Sequence, residues 1–131
     1  MKAIARARGL KLLIGADAAL ARAVGADGVH LPERLAHRAA ALRRAHPGWI
    51  VTSAAHALAA ARASRADAVV LSVAFPSRSA SAGPALGGIR LAARVRAAGR
   101  PAYALGGINA RTARRLLATG VIGLAAVDGA L

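Results

Sequence analysis

The sequence predicts an α/β fold in which parallel strands alternate with helices and form a barrel rather than an irregular sheet. Short apolar segments alternate with longer segments that carry arginines on one face and Leu, Val or Ala on the other. Three strand entries resemble one another, at 25–31 (GADGVHL), 65–71 (RADAVVL) and 119–127 (TGVIGLAAV). Each places a small residue at a helix end before an apolar strand, which indicates a repeated βα unit and favours a barrel.

The elements follow one another in regular order. Strands are predicted where a short segment is mainly apolar, at 10–14, 28–31, 49–53, 68–72, 101–105 and 122–127. Helices are predicted between them, where arginines and apolar residues separate onto two faces, at 17–24, 33–45, 57–66, 89–98 and 109–119. Because a helix follows each strand, the sheet is predicted to be parallel, and residues 1–131 are expected to form one domain.

The charge limits the classes of function. The net charge of +14 comes from 19 lysines and arginines against five acids and would attract any polyanion. The arginines are spread over every helical segment, and one Phe, one Tyr and one Trp offer little surface for base stacking. The pattern therefore favours solvated helix faces over a specific nucleic-acid groove.

The rest of the composition is consistent with a cytoplasmic protein. The absence of cysteine excludes disulfides and fits a reducing compartment. No run of about 18 uncharged apolar residues is present to span a membrane. The basic N-terminus has an apolar stretch too short for a signal peptide, so we expect no targeting segment.

Two loops are candidates for ligand binding. The Ser-, Ala-, Gly- and Pro-rich segment 75–88 (FPSRSASAGPALGG) follows a strand and is longer than a typical βα connection, which favours a ligand site over the alternative of a disordered connection. Gly106-Gly107 follow the next strand and would let the backbone approach a phosphate, towards which a helix starting at Asn109 would direct free N–H groups. The alternative is a tight turn in which Asn109 caps the helix.

Three segments carry a family resemblance: LLIGADAALARAVGADGVHL, VVLSVAFPSRSASAGPALGGIRLAA and PAYALGGINARTARRLLATGVIGLAAVDG. From about residue 4 to the C-terminus they resemble the thiamine phosphate synthase and thiazole tautomerase family. The resemblance implies a (β/α)8 TIM barrel, of which this chain covers about strands 3 to 8, with residues 1–9 as the end of the second helix.

Six strands do not close an eight-strand barrel, so the first and last would present unpaired edges. A truncated reading frame, an open six-stranded sheet and a barrel completed by another chain remain alternatives. The open edges also predict a possible homo-oligomer.

Synthases of this family join a pyrimidine pyrophosphate to a thiazole phosphate and release pyrophosphate, assisted by Mg²⁺. The resemblance places their Asn-Asp pair on Gly15 and Ala16 and a second metal-binding Asp on Leu35, so Mg²⁺ is expected from the family while its ligand positions are not retained. Asp17 and Glu33 are the neighbouring substitutes.

The rest of the pyrophosphate half is also altered. The pyrimidine-contacting Ser falls on Ala54, and the pyrophosphate-binding Lys falls on Ala80, with Arg78 as a possible stand-in.

The thiazole-phosphate half is better retained. The resemblance assigns it to a hydroxyl pair, a backbone cradle and a last contact: Ser77, Ser79, Gly106, Gly107, Val127 and Asp128. Asp128 stands where Ser is usual, and its carboxylate would repel a phosphate.

Histidines offer weaker signals. In the tautomerase branch an acid–base His is expected where this chain has Val73, which cannot transfer a proton. His30 and His56 lie near the carboxyl ends of neighbouring strands and could face one pocket, where they would transfer protons or hold a metal, although packing or solvent-facing roles are favoured.

Three functions are therefore consistent with the sequence. The first is a thiamine phosphate synthase-type transferase acting on small phosphorylated thiazole and pyrimidine substrates. The second is a catalytically impaired relative or barrel fragment that binds a phosphate ligand or a partner chain. The third, supported by charge alone, is a basic nucleic-acid-binding domain.

Overall fold

The computed structural model describes residues 2–78 and 83–126. Six strands form one sheet: β1 (Leu13–Gly15), β2 (Gly28–Leu31), β3 (Ile50–Ala55), β4 (Ala68–Ser72), β5 (Ala102–Leu105) and β6 (Gly123–Ala125). The α-helices are α1 (Lys2–Ala7), α2 (Ala18–Ala23), α3 (Ala39–Ala45), α4 (Leu58–Ala63), α5 (Gly87–Ala98) and α6 (Ala110–Ala113). Two 3₁₀ helices span Glu33–Arg38 and Arg114–Leu116.

The strands are all parallel, and their order in the sheet is their order in the chain. A parallel sheet that advances by one strand at each helical crossover winds as a barrel does. The predicted α/β barrel-type fold is therefore confirmed, as an open arc of six strands. In the described part of the chain β1 and β6 are the edge strands, and the idea that these edges pair with a second copy stays a prediction.

Helices pack against the sheet, and most residues of β2, β3 and β4 are buried. The side chains of Val29, Val51 and Val69 have no exposed surface. They belong to two clusters, an N-terminal cluster around β2 and the start of β3, and a C-terminal cluster around β4, β5 and α5. None of the described helices has the length and apolar character that a membrane span requires.

The predicted elements are found in the predicted order, with most ends within three residues of the prediction, and the differences in helix type lie in two helices. The strands predicted at 28–31 and 68–72 are found with those bounds. The helix predicted at 33–45 is a 3₁₀ helix up to Arg38, after the extended Pro32, and becomes α-helical only at Ala39. The helix predicted at 109–119 is four α-helical residues followed by a short 3₁₀ turn.

The Asp residues of the repeated GAD and RAD segments join neighbouring strands by hydrogen bonds. The Asp27 carboxylate accepts the Leu12 N–H at 2.8 Å, and the Asp27 N–H donates to the Leu12 carbonyl at 2.8 Å. Asp67 makes the same two-way pair with Val51, again at 2.8 Å in both directions. In the third repeat Ile122 stands at the Asp position and keeps only the backbone bond, to the Ala102 carbonyl at 2.8 Å.

Candidate functional site

A cleft of about 550 Å³ lies at the carboxyl ends of β4, β5 and β6. The segment that leaves β4 forms one wall, and the turn between β5 and α6 forms the other. We call it the β4–β6 cleft; its polar and glycine lining residues are Ser77, Arg78, Gly106, Gly107, Asn109, Thr112 and Arg115. Four of these, Ser77, Arg78, Gly106 and Gly107, are residues that the sequence singled out, and the fold brings them to one place.

The Gly106-Gly107 pair is required by the contact between the two walls. Both residues have positive φ, +104° and +62°, a region that other residues rarely adopt. A Cβ on Gly106 would lie 2.7 Å from Cγ1 of Val73, and one on Gly107 would lie 2.8 Å from the Phe75 carbonyl oxygen. The glycines therefore let the two walls touch, where the Phe75 N–H donates to the Gly106 carbonyl at 3.0 Å.

The backbone N–H groups after the glycine pair are only partly available to a ligand. The Asn109 side chain accepts from the N–H groups of Arg111 and Thr112 at 3.0 Å each, in a capping box. This helix cap is the alternative to ligand binding that the sequence predicted. It uses two N–H groups that a bound phosphate would otherwise have been able to reach.

Gly107 itself keeps a donor for the cleft. The Phe75 N–H donates to the Gly106 carbonyl at 3.0 Å, which fixes the orientation of the peptide group that carries the Gly107 N–H. The Thr112 hydroxyl holds the next peptide group, because it donates to the Gly107 carbonyl at 2.8 Å. Within the residues that the structure describes, no oxygen accepts a hydrogen bond from the Gly107 N–H. A phosphate oxygen in the cleft would find this donor already held in place.

Two cations line the cleft. Arg78 is an exposed residue of the wall that follows β4. Arg115 lies with its guanidinium carbon 4.9 Å from the centroid of the buried Phe75 ring, a cation–π contact. Arg115 and Thr112 could not be predicted from the sequence, because nothing in the local pattern distinguishes them from the other polar residues of that helical segment.

Three of the residues assigned to the thiazole phosphate, Ser79, Val127 and Asp128, lie outside the described residues, as does Ala80. Their assignment stays a prediction.

At the opposite side of the sheet, the positions matched to the metal ligands carry no metal-binding group. Ala16 follows β1 with φ +62°, and its N–H donates to the His30 carbonyl at 2.9 Å. Leu35 packs against the N-terminal cluster.

The substitute carboxylates are engaged elsewhere. Asp17 caps α2 by accepting the Leu20 N–H at 2.8 Å, and Glu33 accepts the His56 N–H. No group of three or more His, Cys, Asp or Glu residues suited to a metal occurs in the described ranges. The residues present there do not fit Mg²⁺.

The two histidines singled out from the sequence bond to different hydroxyl groups. His30 Nδ1 lies 2.9 Å from the Thr52 hydroxyl, and His56 Nδ1 lies 2.9 Å from the Ser72 hydroxyl. Burial lowers the pKa of the His30 ring, because the charged imidazolium loses its hydration. Neither ring lines the β4–β6 cleft.

Comparison with known proteins supplies a context for this geometry. A family model described as thiamine monophosphate synthase matches residues 1–130. Among solved structures, the chain is similar to thiamine phosphate pyrophosphorylase from Pyrococcus furiosus, with a TM-score of 0.75 and 27% identity. That similarity covers 96% of this chain and 61% of the other, so the chain spans less than two thirds of the length of the protein it resembles. A comparison with curated proteins gives no match.

Two further structures show the fold alone. A FabK mutant from Thermotoga maritima has a TM-score of 0.66 at 16% identity, with 95% of this chain and 46% of the other covered. A designed cube-shaped, highly porous protein cage has a TM-score of 0.64 at 21% identity, with 95% and 46% covered. The region that matches this chain is thus part of a longer chain in each of these three solved structures.

Proposed function

Because this chain belongs to the thiamine monophosphate synthase family, we propose that its β4–β6 cleft binds the phosphate group of a thiazole phosphate, within thiamine biosynthesis. One observation carries the proposal. Ser77, Gly106 and Gly107, which the family resemblance assigns to this phosphate, line a single cleft together with Arg78.

The chemistry of the cleft suits a phosphate. The Gly107 N–H belongs to a peptide group that the Phe75 N–H holds in place, Ser77 brings a hydroxyl to the lining, and two arginines supply positive charge. Charged guanidinium donors and backbone N–H groups make strong hydrogen bonds to phosphate oxygens. With the phosphate held there, the thiazole ring would extend over the carboxyl ends of the strands, where a ring nitrogen could meet a second substrate.

In the family reaction that nitrogen forms a bond to the methylene carbon of the pyrimidine substrate. The carbon–oxygen bond to pyrophosphate breaks, and pyrophosphate leaves with the electron pair. The described residues that match the magnesium and pyrophosphate positions, Gly15, Ala16 and Leu35, offer no charged side chain for that group, and neither does Ala54, which matches the pyrimidine-contacting Ser. The proposal therefore assigns this chain the binding and orientation of the thiazole phosphate, and it assigns no residue to the departure of pyrophosphate.

A second candidate function follows from the difference between the thiazole-phosphate half and the pyrophosphate half of the site. A chain with a phosphate-binding half and a neutral pyrophosphate half would act as a binding protein without turnover. The two candidates share the cleft and differ in whether pyrophosphate is released.

Thermal unfolding of the chain at increasing concentrations of thiazole phosphate tests whether the cleft binds this compound, which both candidate functions require. A ligand that binds the folded state at about 100 times its Kd adds about 2.7 kcal/mol of stability. For a domain of this size we expect Tm to rise by several degrees. The same thiazole alcohol without its phosphate, at matched ionic strength, is the control and should leave Tm unchanged. An equal response to both compounds, or to neither, would contradict the proposal.

Incubation with both substrates and Mg²⁺ separates the two candidates. Release of pyrophosphate together with formation of the joined product supports the transferase. Binding of thiazole phosphate without any release supports the non-catalytic binding protein.

A further inference from the structure

Arg115 and Phe75 are in contact, and neither is among the residues that the family resemblance assigns to the thiazole phosphate. Arg115 lies in the 3₁₀ turn Arg114–Leu116, and its guanidinium carbon is 4.9 Å from the centre of the Phe75 ring. The Phe75 side chain is 3% exposed, and its backbone N–H is bonded to the Gly106 carbonyl. A ring held in this way presents one fixed face to the arginine.

The contact with the ring leaves the N–H donors of the arginine available, because no described residue accepts a hydrogen bond from the Arg115 guanidinium. A guanidinium carries its donors around the edge of one plane, so contact with an aromatic ring does not consume them. Two parallel N–H donors match two oxygens of a phosphate. Arg115 and Phe75 both line the β4–β6 cleft that contains Gly107.

No described carboxylate competes for this charge. The ion pairs in the described ranges join Lys11 to Asp27 and Arg43 to Asp67. Asp17 and Glu33, the remaining described acids, accept backbone N–H groups at the other side of the sheet. An anion that enters the cleft therefore meets Arg115 without first displacing a described carboxylate.

We propose that Arg115 is a phosphate-binding residue of the β4–β6 cleft and that Phe75 is its positioning residue. The inference rests on the proposed function in that it concerns the same cleft. It adds that a guanidinium held against an aromatic ring supplies positive charge, beside the exposed Arg78, in a half-site that also contains a hydroxyl and a backbone donor.

Isothermal titration of the full chain with thiazole phosphate and, separately, with inorganic phosphate tests this role at constant ionic strength. The Arg115→Gln variant should bind both anions about 10- to 100-fold more weakly, as expected for loss of hydrogen bonds to a charged group. The matched control is Arg114→Gln, which removes the same charge from a neighbouring exposed residue outside the cleft lining and should change Kd less than about two-fold. Circular dichroism should give the same folded spectrum for both variants, because both side chains are exposed.

Two more variants separate charge from orientation. Arg115→Lys keeps the charge but loses the planar fork, so its affinity should fall between the wild type and Arg115→Gln. Phe75→Leu keeps an apolar core residue and every charge. This variant should bind the anions more weakly, and its affinity should depend on salt concentration as that of the wild type does. Affinity in Phe75→Leu equal to that of the wild type would remove the positioning role.

The outcomes distinguish this inference from the proposed function. Equal small losses in Arg115→Gln and Arg114→Gln, with a wild type that binds thiazole phosphate, would overturn the inference and keep the proposed function. Arg115-dependent binding of inorganic phosphate without binding of thiazole phosphate would keep the inference and overturn the proposed function. A wild type that binds neither anion would overturn both.

Discussion

The two halves of the sheet have the same architecture and differ in what their carboxyl ends carry. The ends of β4, β5 and β6 form a cleft with a glycine pair, a hydroxyl and two arginines. The ends of β1 and β2 carry Gly15, Ala16 and Leu35, with nearby carboxylates used to cap a helix and to hold a loop. A repeated scaffold thus provides equivalent positions at every strand end, and the side chains placed there decide which ones bind a ligand.

The two halves also differ in how their strands are joined. Asp27 and Asp67 each tie the start of one strand to the preceding one, whereas Ile122 in the third repeat offers no such carboxylate. The contact between the walls of the cleft is made instead by the glycine pair. The half with the cleft therefore depends on close backbone packing, and the other half depends on side-chain bonds to the backbone.

The largest effect is expected from Gly107→Ala, which adds a Cβ 2.8 Å from the Phe75 carbonyl oxygen at a residue with φ +62°. We expect a loss of about 3 kcal/mol or more from strain and overlap together, along with loss of anion binding. Gly99 is the matched control, because it has φ +63° and nothing within 4 Å of its Cβ position. Gly99→Ala should cost about 1 kcal/mol in urea unfolding. Similar costs at the two sites would show that the walls of the cleft do not need this contact.

Asp67→Ala should have the next largest effect, because it breaks the joint between β3 and β4 where the two halves meet. It removes the acceptor of the Val51 N–H and the 2.7 Å ion pair with Arg43. We expect about 1 to 2 kcal/mol of lost stability, mostly from the backbone bond, since the ion pair is partly exposed. Arg43→Ala removes the ion pair, together with an exposed hydrogen bond to the Arg65 carbonyl, and keeps the Val51–Asp67 bond, so it should cost less. An equal or larger cost would assign the joint to the contacts of Arg43 instead.

A stabilising change is expected at the end of β1. Ala16 has φ +62°, a left-handed conformation that costs a residue with a Cβ about 1 to 2 kcal/mol. Ala16→Gly should therefore raise the free energy of unfolding by about 0.5 to 1 kcal/mol, after the greater entropy of unfolded glycine is subtracted. Ala19→Gly, at an exposed position of α2, should do the opposite, and a loss of stability in both variants would refute the strain at Ala16.

The smallest effect concerns pH. Burial lowers the pKa of His30 in the folded state, so the unfolded chain binds a proton more readily near its usual pKa of about 6.5. The stability associated with neutral His30 is complete above that value and is lost as the pH falls through the lower folded pKa. Urea unfolding at a series of pH values from 7.5 downward should show this decline, and His30→Asn should reduce it. An unchanged decline in that variant would mean that another group is responsible.

The strands could be predicted well because their signals are local. The segments 28–31 and 68–72 are apolar runs that start directly after GAD and RAD, and the structure gives them these bounds. The short last helix was predicted too long, because helical spacing alone does not show where a 3₁₀ turn replaces an α-helix.

The cleft could be predicted only in part. The glycine pair and the loop after β4 have sequence signals and a family resemblance, and the fold brings them together. Arg115 looks in the sequence like any other helical arginine, since its contact with Phe75 joins residues 40 positions apart. The need for glycine at 107 was predicted from ligand approach, whereas the structure shows a contact with the Phe75 carbonyl that requires glycine even without a ligand.

The sequential strand order has a consequence for synthesis on the ribosome. Register partners lie from 15 residues apart, as for Leu13 with Gly28, to 33 residues apart, as for Val69 with Ala102. Each new strand therefore pairs with one that has already emerged, and in the described sheet no strand has to wait for a later segment to be inserted between it and its predecessor. The sheet can grow at one edge as translation proceeds, with the N-terminal cluster buried before the residues of the β4–β6 cleft have all been made.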